Sequence, residues 1–144
     1  MKNLRQSPDT HQVVLDAIRR LDDAFRDRDV DAAVACFSPE GAFYGDDLVE
    51  HAHGADDLRS FLAEMFEEAY TIGWDVRDTW ARRHGDVLWF VAEVRAVMSY
   101  EVGLMEHVPF RISGILRRHR GQWRFELFDG TQPADATREL LVTA

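Results

Sequence analysis

Phe110-Arg-Ile-Ser-Gly-Ile-Leu-Arg-Arg-His-Arg-Gly-Gln-Trp-Arg-Phe-Glu-Leu-Phe-Asp-Gly-Thr-Gln-Pro133 is the stretch whose reading decides the fold. Side chains alternate on either side of Arg120-Gly121, the pattern of two antiparallel strands joined by a tight turn. Phe110, Ile112, Gly114 and Leu116 share one face of the first strand, and Arg111, Ser113 and Ile115 the other. In the second strand Trp123, Phe125 and Leu127 share a face, and unbroken alternation carries Asp129 and Thr131 onto it. A carboxylate that continues an apolar face predicts the mouth or floor of a cavity.

The same period of two runs backward from this hairpin. Leu88, Phe90, Ala92, Val94, Ala96, Met98 and Tyr100 form the apolar face of a long strand, with Trp89, Val91, Glu93 and Arg95 opposite. The turn His84-Gly85-Asp86 separates it from a strand opening near Ile72, in which Trp74, Val76 and Trp80 are expected on one face. Further upstream the period becomes helical. Ser7-Pro8-Asp9 reads as a helix start, and Val14, Ala17, Ile18, Leu21 and Phe25 predict a helix over 8–27. Asp29 is expected to cap a short helix ending before Ser38-Pro39. Residues 42–45 and 48–53 predict two short strands, with Asp46-Asp47 as the turn between them. Leu58, Phe61, Leu62, Met65, Phe66 and Ala69 predict a third helix opened by Gly54. Helices first and a long meander afterwards is an α+β layout. A strongly twisted sheet of that length curls around the helices and leaves a conical space.

The chain has 144 residues and fits one domain over 1–144, with a core of about 8–133 and short tails at 1–7 and 134–144. Hydrophobic residues make up 46%, enough for a full core. A net charge of -9 argues against nucleic acid and against an anionic membrane surface. The single cysteine, Cys36, excludes an internal disulfide and suits a reducing compartment. With no apolar run of membrane-spanning length and no signal-like N-terminus, the expected location is cytoplasmic.

The order of elements and several local patterns resemble the nuclear transport factor 2-like superfamily and, within it, the SnoaL-like domains. The residues carrying the resemblance are Arg28-Asp-Val-Asp-Ala-Ala-Val-Ala-Cys-Phe-Ser-Pro-Glu-Gly-Ala-Phe43, His53-Gly54, Gly85-Asp-Val-Leu-Trp89, Phe110-Arg-Ile-Ser113, Gly121-Gln-Trp-Arg124 and Asp129-Gly-Thr-Gln-Pro133. The resemblance implies a curved mixed or antiparallel sheet wrapped around about three N-terminal helices, often as a homodimer packed through the sheet. It also implies a pocket for a small organic molecule, which acid–base chemistry can serve without a cofactor, as in isomerases, cyclases and dehydratases of this fold. A non-catalytic binding or dimerisation module is the alternative, because the fold alone does not define an activity. The position at which steroid isomerase relatives hold their base falls on Gly45, next to Asp46.

Asp129 and Asp46 are the candidate catalytic groups. Asp129 on an apolar face would be a desolvated base; the competing reading is a carboxylate bonded to the turn at Gly130. Asp46 equally suits a hairpin turn. Phe43, Tyr44, Phe61, Met65, Trp80, Phe90, Met98, Tyr100, Phe110, Ile112, Phe125, Leu127 and Thr131 are the expected pocket wall, and the two tyrosine hydroxyls could face a ligand carbonyl. Glu93, Arg95 and Arg111 would form an acid–arginine set reminiscent of epoxide hydrolase relatives if their face turned inward, and an outer ion-pair network otherwise. His51 and His53 share a strand face, but no third ligand follows at metal spacing, so no metal is expected.

Overall fold

The structure is a computed structural model that describes residues 8–137 and 139–142. Ser7, the expected cap of the first helix, lies outside the described residues. Three helices lead the chain: α1 (Pro8–Arg26), α2 (Val30–Ala35) and, after two strands, α3 (Ala55–Met65). The strands are β1 (Phe37–Tyr44), β2 (His51–His53), β3 (Tyr70–His84), β4 (Val87–Tyr100), β5 (Leu104–His119), β6 (Gln122–Thr131) and β7 (Glu139–Val142). They form one mixed sheet in the order β2-β1-β6-β5-β4-β3, with β7 paired to the first part of β5. Only β1 and β6 run parallel; the other neighbours are antiparallel. Among the described residues no helix is long and apolar enough to cross a membrane.

Local chemistry explains the joints. The Asp29 carboxylate accepts from Ala32 N at 3.0 Å and so caps α2. Arg28 takes a left-handed φ of 52° after α1, and its guanidinium donates to the carbonyls of Phe66, Glu68 and Tyr70 beyond α3. Asp22 on α1 accepts from Trp74 N at 3.0 Å, tying the helix to edge strand β3. Arg120 and Gly121, with φ of 52° and 80°, make the β5–β6 turn of the type that both-positive φ values define.

The core lies between α1 and the concave face of the sheet, where Val14, Ala17, Ile18, Leu21 and Phe25 meet Leu88, Phe90, Ile112, Leu116, Phe125 and Phe128. Two strands depart from unbroken alternation. In β3, Val76 pairs with Val94 but Asp78 pairs with Glu93, so Arg77 is one residue too many. In β6, Phe125 pairs with Leu116 but Leu127 pairs with Ile115, so Glu126 is the extra residue. Each bulge flips the side chains that follow it. After the first, Thr79 is buried and Trp80 is 52% exposed. After the second, Phe128 and Gly130 turn inward, and Leu127, Asp129 and Thr131 join the outer face. The expectation that Trp80, Leu127, Asp129 and Thr131 share the pocket face is therefore corrected.

Two flanking glycines accommodate the β6 bulge. A Cβ on Gly114 would stand 2.1 Å from the Leu127 carbonyl oxygen, and one on Gly41 would stand 2.6 Å from that of Phe125. Three smaller differences follow from pairing rather than propensity. The segment at Ser38-Pro39 belongs to β1, at its irregular junction with β6, because Phe37 pairs with Phe125. The strand expected over 48–53 shortens to His51–His53. Residues 139–142, expected in a tail, pair with β5 as β7.

Candidate active site at the mouth of the cone

Where β1 and β6 end, the sheet and helices leave a cavity of about 60 Å³. Phe25, Phe43, Met65, Ile72, Trp74, Phe110 and Phe128 supply apolar wall, and Tyr44, Gly45, Asp46, Glu50 and Gly130 complete it. Glycine shapes it twice. A Cβ on Gly130 would lie 2.7 Å from the Phe110 ring, so this glycine lets Phe110 lean into the space. A Cβ on Gly45 would lie 2.9 to 3.0 Å from the Glu50 side chain, so Gly45 leaves room for that carboxyl. Trp74 is 7% exposed, and its indole Nε1–H is buried with no hydrogen-bond partner among the described residues.

The polar side of this mouth is a loop, 45–50. It is closed by Gly45 N donating to Glu50 O at 2.7 Å and by Asp47 N donating to Glu50 Oε1 at 3.1 Å. Carboxyl oxygens of Asp46, Asp47 and Glu50 lie within 4.8 Å of one another. Burial pushes the Glu50 carboxyl above its ordinary range. A hydrogen bond with Asp46 and the negative charges of Asp46 and Asp47 push the same way, against the opposing pull of the Asp47 N–H. Tyr70, whose ring lies 5.5 Å from that of Tyr100, is also raised, by burial first and then by nearby acids including Glu68, Glu50 and Asp46. The Tyr100 hydroxyl donates to Glu106 Oε1 at 3.3 Å.

Of the residues expected at a pocket, the structure brings Phe43, Tyr44, Asp46, Met65 and Phe110 to this cavity. Phe90, Ile112 and Phe125 are fully buried in the core, and Phe61 packs on Phe43 at 5.4 Å. Met98 and Tyr100 are partly buried on the concave side of β4, outside the cavity wall. Tyr44 is 38% exposed; its hydroxyl shares a 2.7 Å hydrogen bond with His53 Nε2 over the outer face, away from the role of facing a ligand carbonyl. Asp129 lies beside Tyr44 and opposite Ser113, on that same outer face. Among the described residues no third ligand joins His51 and His53.

Glu93, Arg95 and Arg111 also face outward. Arg111 Nε donates to Glu93 Oε1 at 2.8 Å with both side chains substantially exposed, so the inward acid–arginine set is not formed. Cys36 is buried, its thiol pushed up to about 11 by desolvation, and it fits the core role rather than that of a nucleophile. Sequence reasoning missed Glu50, which it left within a strand. The usable signal was a third acid shortly after Asp46-Asp47 and a side-chain-free Gly45 before them.

A curved mixed sheet around three helices, with a cavity at its open end, defines a nuclear transport factor 2-like cone. Residues 14–131 match the family described as SnoaL-like domain, and the chain belongs to that family. No curated protein matches it. Solved structures share the fold at low identity. A provisionally assigned aromatic ring hydroxylase from Novosphingobium aromaticivorans is 16% identical with a TM-score of 0.76, covering 94% of this chain and 96% of its own. A provisionally assigned dehydratase of the NTF2-like family from Streptomyces avermitilis is 12% identical with a TM-score of 0.75, covering 89% and 99%. A type 2 hexachlorocyclohexane dehydrochlorinase, LinA, is 9% identical with a TM-score of 0.74, covering 94% and 93%. These likenesses speak to the fold alone.

Proposed function

We propose that the protein is a cofactor-independent acid–base enzyme acting on a small carbonyl compound at the mouth of the cone. The observation that carries this reading is the Glu50–Asp46 pair, one carboxyl of which keeps its proton above the ordinary range beside an apolar cavity. A carboxyl whose proton is held by burial and a second carboxyl beside it are suited to divide the roles of acid and base. In an isomerisation, the Asp46 carboxylate takes a proton from the carbon next to the carbonyl, and the C–H electron pair moves toward the carbonyl oxygen. The Glu50 O–H supports the developing oxyanion. Asp46 then returns the proton to another carbon. A dehydration uses the same first step, with Glu50 protonating the departing hydroxyl.

Size limits the substrate. A cavity of about 60 Å³ lies far below the ~300 Å³ at which pockets for drug-sized ligands begin. A substrate of few heavy atoms fits directly; a larger one requires Met65 and Phe110 to move.

The test is α-proton exchange of 2-cyclohexen-1-one in D2O, followed by proton NMR. Glu50→Gln and Asp46→Asn are each expected to lower the enzymatic rate by about a hundredfold, with Asp129→Asn near wild type. Equal rates in all four proteins, or a loss confined to Asp129→Asn, would overturn the reading. Ligand-induced stabilisation without exchange would favour a binding module instead.

The same proposal takes the outer face as a homodimer surface. Trp80, Trp89, Ile115 and Tyr44 are 37 to 52% exposed there, and the strand registers put them close together with Val91 and Leu127. An apolar surface of that extent on an acidic chain favours a second copy over nucleic acid or a membrane.

A further inference from the structure

A second cavity, of about 450 Å³, lies against the outer side of β4 and β5, where the chain after β6 crosses back to start β7. It shares no lining residue with the cavity at the cone mouth: its lining includes Arg95, His107, Pro109 and Arg111, on the side of the sheet opposite the core, with Pro133 and Ala136 from the crossing segment. We propose that it binds a small organic oxyanion, a carboxylate or a phosphate monoester carrying a short apolar body.

Three observations converge on this. Arg95 is exposed and makes no hydrogen bond or ion pair with a described residue, although Asp135 and Glu139 line the same cavity. Arg111 spends only its Nε on Glu93, which leaves its two terminal nitrogens without a described acceptor. His107, whose Nε2 is buried without a hydrogen-bond partner among the described residues, lines the same cavity. Two guanidiniums can each present a planar fork to an oxyanion. Pro109, Pro133 and Ala136 offer carbon surface to the rest of the molecule. The overall charge of -9 disfavours diffuse anion binding, so retention here depends on short-range contacts. The acids Asp135 and Glu139 at the rim favour a ligand that also carries a hydroxyl or amino donor.

Amide chemical-shift titration of the full chain with benzoate and with phenyl phosphate tests this site independently of the cone chemistry. Either probe is expected to shift the amides of residues 107–111 and 134–137, and the tighter one identifies the natural headgroup as carboxylate or phosphate. Arg95→Gln is expected to weaken that probe about tenfold or more while the spectrum stays folded, since it removes charge-assisted hydrogen bonds from an otherwise unpaired side chain. Arg95→Lys, which keeps the charge and loses the fork, should weaken it less. Shifts absent from those segments with both probes, or an affinity unchanged in Arg95→Gln, would overturn the proposal.

Discussion

Trp123 and Phe125 on one side of Glu126, and Leu127, Asp129 and Thr131 on the other, are successive odd-numbered positions of the same strand, yet they serve opposite faces of the sheet. Phe125 sits in the core between β1 and β5, whereas Asp129 lies on the outer surface beside Tyr44. The difference is one residue, Glu126, which has no partner of its own in the β5 ladder. A two-residue period converts that single insertion into a full exchange of faces. β3 repeats the lesson with Arg77, which sends Trp80 outward while Trp74 stays in the core. Chemistry is divided accordingly. The acid that alternation carries into the pocket ends outside it, and the proposed acid–base pair instead comes from a loop in which alternation has no say.

Breaking the bulge is the severest test of this comparison. Gly114→Ala would place a Cβ 2.1 Å from the Leu127 backbone oxygen, a collision that no side-chain rotation relieves. The expected loss is about 3 kcal/mol or more, or failure to fold, read by urea denaturation. A loss below about 1 kcal/mol would mean that β6 does not press against Gly114 as described.

Next in size is the outer face itself. Trp89→Glu puts a charge in the middle of the exposed apolar row, and light scattering is expected to find wild-type dimer and mutant monomer. A monomeric wild type would remove the dimer from the account.

The smallest expected effect is electrostatic. Because the folded-state proton affinity of Glu50 is raised, the native chain holds more protons than the unfolded chain as pH rises from about 4.5, and its stability falls across that window. Glu50→Gln removes this loss. Its Tm should match wild type below pH 4.5 and exceed it progressively toward neutrality. A variant less stable than wild type at neutral pH would show that the Glu50 carboxylate is favourably held.

Much of this was legible in the sequence because much of it is periodic. The α1 stripe from Val14 to Phe25, the apolar face of β4 and the Arg120-Gly121 turn all follow from spacing and backbone preference. What escaped depends on pairing at a distance. Gly114 and Gly41 are the marks of the bulge, since a glycine inside a strand often records a close backbone approach. Their meaning appears only once β1, β5 and β6 lie side by side. Glu50 escaped because its environment is made by Gly45, Asp46 and Asp47 folding back on it, a loop contact that neither helical nor strand period encodes. The tail formed β7 because β5 extends beyond the end of β6 and leaves an edge to cover.

The most direct measurement of the central claim, that the cone mouth and not β6 holds the proton-handling group, is a carbon-13 NMR titration of the side-chain carboxyls in wild type and Asp46→Asn. The account predicts that Glu50 titrates above 4.5 in wild type and that its midpoint falls when Asp46 loses its charge. A Glu50 midpoint at or below 4.5, or one indifferent to Asp46, would contradict it.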